Sequence, residues 1–213
     1  MRGVTMRLSD LYEMPMFTNK EMSVDDDEVE LTTPFFITDA RLTEKYNKLA
    51  TKDNVEVYLQ KDLSMACIGV REKRHDNQSG ILLFGSLQLK SEPRLGFSIS
   101  ALEVAARKIL QIDLVTVVKQ ATFMGLGTFL YSSIVQAGYT IISDNHQFIG
   151  GKELWQKIGR SHLGNEVVYV IDKGHVLAKD SVPIEYNGKN IPEDEIWSED
   201  EQKKYVLFLY KKR

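Results

Sequence analysis

The clearest apolar spacing in the chain lies between residues 110 and 142. Leu110, Ile112 and Leu114 alternate with Gln111 and Asp113, and the chain then becomes continuously apolar from Val115 to Val118. Alternation that closes into an unbroken run predicts a strand that grows more buried towards its end. After a short loop, Leu126, Leu130, Ile134 and Ala137 fall on one face of a helix predicted over residues 124–137, and Gly138 follows where a C-terminal cap belongs. Residues 139–142 read as a short buried strand with Ser143-Asp144-Asn145 as its polar exit.

Around this strand–helix–strand unit the periodicity is less regular. The run Phe35-Phe36-Ile37 within residues 34–38 predicts a first strand. Asp39 or Thr43 is placed to cap a following helix in which Leu42, Tyr46 and Leu49 recur at helical spacing. Residues 55–59, 65–71 and 81–90 read as strands, the last two forming an antiparallel hairpin across the charged loop 72–80. Residues 98–108 fit either period: Leu102, Ala105, Ala106 and Ile109 match a helix, while Leu102, Val104 and Ala106 match a strand. Further on, residues 152–158 predict a helix closed by Gly159, and residues 166–171 and 205–210 predict strands. The last of these either closes the sheet or pairs two copies into a homodimer. Residues 179–202 between them read as a polar insertion with Asn187-Gly188 as a turn, and residues 1–30 as an irregular N-terminal segment. This order defines an α+β (mixed α/β) class: a single domain over residues 31–213, built on a central twisted mixed sheet of about six or seven strands flanked by helices.

Composition changes this picture little. Apolar residues make up 43% of the 213, enough for a real core, and the formal charge of −3 excludes a globally basic nucleic-acid coat. Cys67 is the sole cysteine, so no intrachain disulfide forms. Its apolar neighbours make it a small buried hydrophobe rather than a nucleophile. No apolar run of about 18 residues and no leader-like N-terminus is present, which points to a cytoplasmic protein outside the membrane. The four histidines have no partners at metal-ligand spacing.

The chemistry-bearing signal is the turn Val117-Val118-Lys119-Gln120-Ala121-Thr122-Phe123-Met124-Gly125-Leu126-Gly127-Thr128. A buried strand stops and two glycines one residue apart enter a helix. The first helical turn leaves backbone N–H groups unpaired at the positive end of the dipole, and glycine admits a phosphate close to them. Read physically, this is either an anion site or a tight helix–strand contact.

The segment resembles motif A of the GNAT N-acetyltransferase superfamily, in which a strand ending in valine leads to Arg/Gln-x-x-Gly-x-Gly/Ala. Gly125 and Gly127 match the two small residues and Val117 matches the strand end. Residues 144–159, with Gly150-Gly151 and Leu154-Trp155, resemble the family's later asparagine–helix stretch in divergent members from tailed bacteriophages. The resemblance implies a GNAT-like fold, favours a strand at residues 98–108, and implies acetyl-CoA as co-substrate. Its cofactor contacts fall on Val117, Val118, Lys119, Met124, Gly125, Leu126, Gly127, Thr128 and Asn145. Asp113 or Glu103 would serve as base, Asn145 as an orienting group and Tyr131 as proton donor, with an oxyanion donor in the backbone at Val117 or Val118. The acceptor would be an amine on a small molecule, a protein or a nucleic-acid base. Two departures stand out: the motif's basic or amide residue is Thr122, and the later helix's tyrosine is Trp155. They favour the alternative of a non-catalytic GNAT-fold binding or regulatory protein. A nucleotide-binding protein of another α/β fold lacks its acidic ribose partner about 20 residues on.

Overall fold

The computed structural model describes residues 36–74, 77–90, 109–117, 125–143, 149–161, 166–172, 175–197 and 205–211. It is a mixed α/β arrangement, a curled mixed sheet with helices packed on it. No helix among the described residues is long and apolar enough to cross a membrane. Residues 1–30, 98–108 and 118–124, with Glu103, Val118, Lys119, Thr122, Met124 and Asn145, lie outside the described residues.

The chain enters through strand β1 (Phe36–Thr38) and helix α1 (Asp39–Lys45). The cap is Thr38, one residue before the expected Asp39, and its Oγ1 accepts from the Arg41 N–H at 3.4 Å. The helix does not continue through Tyr46 and Leu49 as their spacing predicts. Tyr46 is extended (φ −125°, ψ 153°) and begins strand β2 (Tyr46–Lys52). A tight turn at Asp53-Asn54, with Asp53 in the left-handed region (φ 56°), folds β2 onto strand β3 (Val55–Gln60). The apparent helical spacing of Leu49 arises because it is the extra residue of a bulge between Lys48 and Ala50.

Strands β4 (Met65–Lys73) and β5 (Ser79–Lys90) form the expected hairpin, with both strands running a residue or two further into the loop. Strand β6 (Ile109–Val117), helix α2 (Leu126–Gln136), strand β7 (Thr140–Ile142) and helix α3 (Ile149–Ser161) follow. Gly138 closes α2 as expected. It adopts φ 91°, its N–H bonds to Val135 O at 3.0 Å, and the Tyr139 N–H reaches Ile134 O at 3.3 Å. Strands β8 (Glu166–Asp172), β9 (His175–Val176), β10 (Ala178–Lys179) and β11 (Val182–Pro183), helix α4 (Glu193–Ile196) and strand β12 (Tyr205–Lys211) complete the chain.

The main sheet runs β2-β3-β4-β5-β6-β7-β12-β8-β9, with β1 added on β5. Seven of its strands have six or more residues, namely β2 to β6, β8 and β12. β12 lies inside the sheet, paired along Tyr205–Lys211 with β8 on one side and at Phe208 and Leu209 with β7 on the other.

Two cores result. The larger gathers Val57, Leu59, Leu110, Leu130, Ile134 and Trp155 between the sheet and helices α2 and α3. The smaller lies on the opposite face, where Ile37 and Leu42 pack against Tyr46, Tyr58, Cys67 and Ile81. Cys67 is fully buried, which pushes its thiol up to about 12. Beside this second core the buried carboxylate of Glu56 accepts from Lys48 Nζ at 2.6 Å, Tyr58 Oη at 2.8 Å and Arg71 Nε at 3.0 Å. Burial alone would raise its pKa, but these donors outweigh that and hold it below the usual carboxylate range. Arg71 also pairs with Asp39, which ties α1 to the sheet.

Two other expectations change. Gly159 does not end α3, which runs on to Ser161. A Cβ there would lie 2.9 Å from Gly188 N and 3.1 Å from the Tyr186 ring, so the glycine admits a close chain crossing. The segment at residues 179–202 is polar in composition, yet it buries Tyr186, Ile191 and Ile196 in the larger core. Its Asn187-Gly188 turn forms as expected, with Asn187 Oδ1 accepting from the N–H groups of Lys189 and Asn190 and Gly188 at φ 80°.

Candidate functional site

The site grows from a change in strand direction. Among the described strand pairs only β6–β7 is parallel, and it lasts for three residue pairs, Ile109↔Thr140 to Gln111↔Ile142. Beyond Gln111, β6 continues to Val117 paired with β5, ending at Val117↔Gly85, while β7 has finished at Ile142. Residues 112–117 therefore have no described partner strand on the β7 side. A parallel pair demands a crossover, and α2 is that crossover.

Gly125 is the N-cap of α2, in the left-handed region (φ 71°, ψ 17°), and no side chain caps the helix there. Glycine is the residue that occupies this conformation without steric cost. The next turn begins properly, with the Phe129 N–H bonded to Gly125 O at 3.1 Å. The amides before it, from Leu126 to Thr128, are the ones every helix leaves without an intrahelical partner. Leu126 is buried in the core, and Gly127 faces α3, where a Cβ would touch the Leu154 side chain at 3.4 Å. The neighbour of Gly127 is thus another helix, at ordinary contact distance, and not the strand that a tight helix–strand contact would put there. Thr128 is 9% exposed, and its Oγ1 is buried with no hydrogen-bond partner.

The remaining expected residues fall elsewhere. Asp113 is exposed on β6, at the bulge between Gln88 and Leu89 of β5, and is ion-paired with Lys90. Tyr131 is a core side chain: it is 1% exposed, and its ring packs edge-on against Trp155 at 5.5 Å and 84°. Burial holds its hydroxyl well above the ordinary tyrosine range. Trp155, at the position where the resemblance wants a tyrosine, is equally buried.

No protein-family model matches the chain. No curated protein and no solved structure matches it either.

One charge next to the glycines was not anticipated. Leaving aside its own chain neighbours, a Cβ built on Gly125 would meet one described atom within 4 Å, Lys157 Nζ at 3.8 Å. Lys157 lies one turn beyond Leu154 on α3, so the stripe that packs on Gly127 also delivers an ammonium to the start of α2. No described carboxylate pairs with it. A helix N-terminus carries about half a positive charge, so cation and dipole reinforce each other here.

A second polar feature lies towards the other end of α2. The buried Glu166 carboxylate accepts through Oε1 from Ser132 Oγ at 2.5 Å and Gln136 Nε2 at 2.7 Å, and its buried Oε2 has no partner. Sequence pattern gave no sign of this contact, which depends on how α2 lies over β8.

Proposed function

We propose that this chain is an acyl-CoA-dependent N-acyltransferase with a GNAT-like fold, taking acetyl-CoA as co-substrate and transferring its acyl group directly to an amine. The observation that carries the reading is the uncapped first turn of α2, with Gly125 and Gly127 in it, on the crossover of a strand pair that is parallel over three described residue pairs. In this reading the diphosphate lies against the amides of Leu126, Gly127 and Thr128, and the pantetheine arm pairs with the β6 edge beyond Gln111. The amine lone pair attacks the thioester carbonyl carbon. A backbone N–H at the end of β6, at Val117 or Val118, stabilises the oxyanion, and Asn145 orients the cofactor or a water. The C–S bond then breaks, the amine gives up a proton and the thiolate gains one.

A specific observation favours a second reading, a GNAT-fold binding or regulatory protein without catalysis. Asp113 is engaged in a surface ion pair with Lys90, and Tyr131 and Trp155 are sealed in the core, so neither an unpaired base nor an accessible acid stands among the described candidates.

Thermal denaturation with acetyl-CoA, set against ADP and ATP, separates these possibilities. At a ligand concentration a hundred times Kd, binding stabilises by about 2.7 kcal/mol, roughly 5–11 °C for a chain of this size. No shift at millimolar acetyl-CoA overturns the acyltransferase reading. A shift without thiol release on a panel of amines supports the binding protein.

A further inference from the structure

We infer that the Asn187-Gly188 turn is a site of spontaneous deamidation, that its docking on α3 holds the site closed, and that conversion to isoaspartate there keeps the turn from docking again. The inference stands apart from the acyltransferase reading and concerns a different part of the fold.

Asn187-Gly188 is the only Asn-Gly pair in the chain. With no side chain on the following residue, the next amide nitrogen reaches the asparagine carboxamide most readily at such a pair. The Gly188 nitrogen gives up its proton to hydroxide and attacks Asn187 Cγ. The Cγ–Nδ2 bond breaks, ammonia leaves, and a succinimide ring closes. Water then opens the ring. Attack at Cγ gives aspartate, and attack at the main-chain carbonyl carbon of residue 187 gives isoaspartate, whose main chain runs through Cβ and Cγ.

Asn187 is exposed, yet the fold restrains both reacting groups. Its Oδ1 accepts from the N–H groups of Lys189 at 3.0 Å and Asn190 at 2.9 Å. Its own N–H donates to Asn190 Oδ1 at 3.0 Å, and Asn190 Nδ2 donates to Glu185 O at 2.8 Å. This clasp fixes the carboxamide. Gly188 is buried against α3: its nitrogen lies 2.9 Å from where a Gly159 Cβ would be, and a Cβ of its own would fall 2.5 Å from Gln156 O. Access of hydroxide to that nitrogen, and rotation of the linkage between residues 187 and 188, both need the turn to lift off α3. The rate of conversion then follows the fraction of time that the turn spends open. The same crossing makes the step one-way. Isoaspartate lengthens the main chain by a carbon where not even a methyl group fits, and Tyr186 and Ile191 on either side are anchors of the larger core.

The test follows amide-to-acid conversion at residue 187 by mass mapping of the full chain, incubated at mildly alkaline pH both native and in guanidinium chloride. Wild type is expected to convert at least about tenfold more slowly native than denatured. Asn190→Ala, a change at an exposed residue, removes the clasp and should speed native conversion several-fold while leaving the denatured rate unchanged. Gly159→Ala, which sets a Cβ against the Gly188 nitrogen, should do the same through the other restraint, and Asn190→Ala carries the comparison if that variant does not fold. Isolated isoaspartate-containing protein should melt below the unconverted chain, whereas Asn187→Asp, which gains the charge without the longer main chain, should melt close to it. Equal native and denatured rates in wild type overturn the gate, as does wild-type native conversion in Asn190→Ala. An isoaspartate form that melts with the unconverted chain overturns the one-way step.

Discussion

Gly125→Asp is expected to fold normally and to lose acetyl-CoA binding by at least about a hundredfold, whereas Gly125→Asn should stay within about tenfold of wild type. The two side chains have nearly the same shape, and both tolerate the left-handed region better than other non-glycine residues, so backbone strain at φ 71° is common to both. Apart from the chain neighbours, the Cβ position meets among the described atoms only Lys157 Nζ, at ordinary contact distance, and this is the same for both variants. They differ in charge. A carboxylate at the N-cap would pair with Lys157 and with the first-turn amides, occupying the site that a diphosphate needs. It also improves a helix start that now has no side-chain cap, so stability should change by less than about 1 kcal/mol. Titration calorimetry and thermal melts on the pair check both halves. Equal binding by the Asp and Asn variants would move the anion site away from α2.

The largest stability effect is expected at Trp155. It is 1% exposed, it belongs to the larger core, and its edge-on contact with Tyr131 joins α3 to α2 behind the glycine turn. Trp155→Ala should cost about 3–5 kcal/mol through lost transfer energy and a cavity that a helix pair does not collapse to fill. For a chain of this length that lowers the melting temperature by about 6–20 °C. Trp155→Phe, which keeps an aromatic ring against Tyr131, should lose markedly less. A small effect for Trp155→Ala would mean that α2 and α3 are not held together by this stack. The registry that brings Lys157 to Gly125 would then lose its support.

Elements defined by local periodicity were legible. The alternation around Ile112, the helical stripe through Leu130 and Ile134, and Gly138 as the cap each depend on neighbours within a turn or a pleat, and each is found where expected. What misled was a pattern with two solutions. Leu42, Tyr46 and Leu49 keep helical spacing, yet a hairpin turn at Asp53 and a bulge at Leu49 place the last two on a strand. Gly159 looked like a helix end because its reason for being glycine, the backbone at Gly188, is 29 residues away. Tyr186, Ile191 and Ile196 were hidden in polar sequence because isolated anchors carry no period. In the site, the glycine turn was visible as a motif, whereas the approach of Lys157 depends on the docking of α3 on α2. The Glu56 network was illegible because it depends on the pairing of β2, β3 and β4, and that of Glu166 because it depends on how α2 lies over β8.

The central claim concerns particular amides, and hydrogen–deuterium exchange with and without saturating acetyl-CoA reads them directly. Slower exchange is predicted in the peptide spanning Gly125 to Phe129 and in the edge of β6 beyond Gln111, with α1 and the β2–β3 hairpin unchanged. Exchange at Leu126, Gly127 and Thr128 that stays the same under saturating ligand would contradict it.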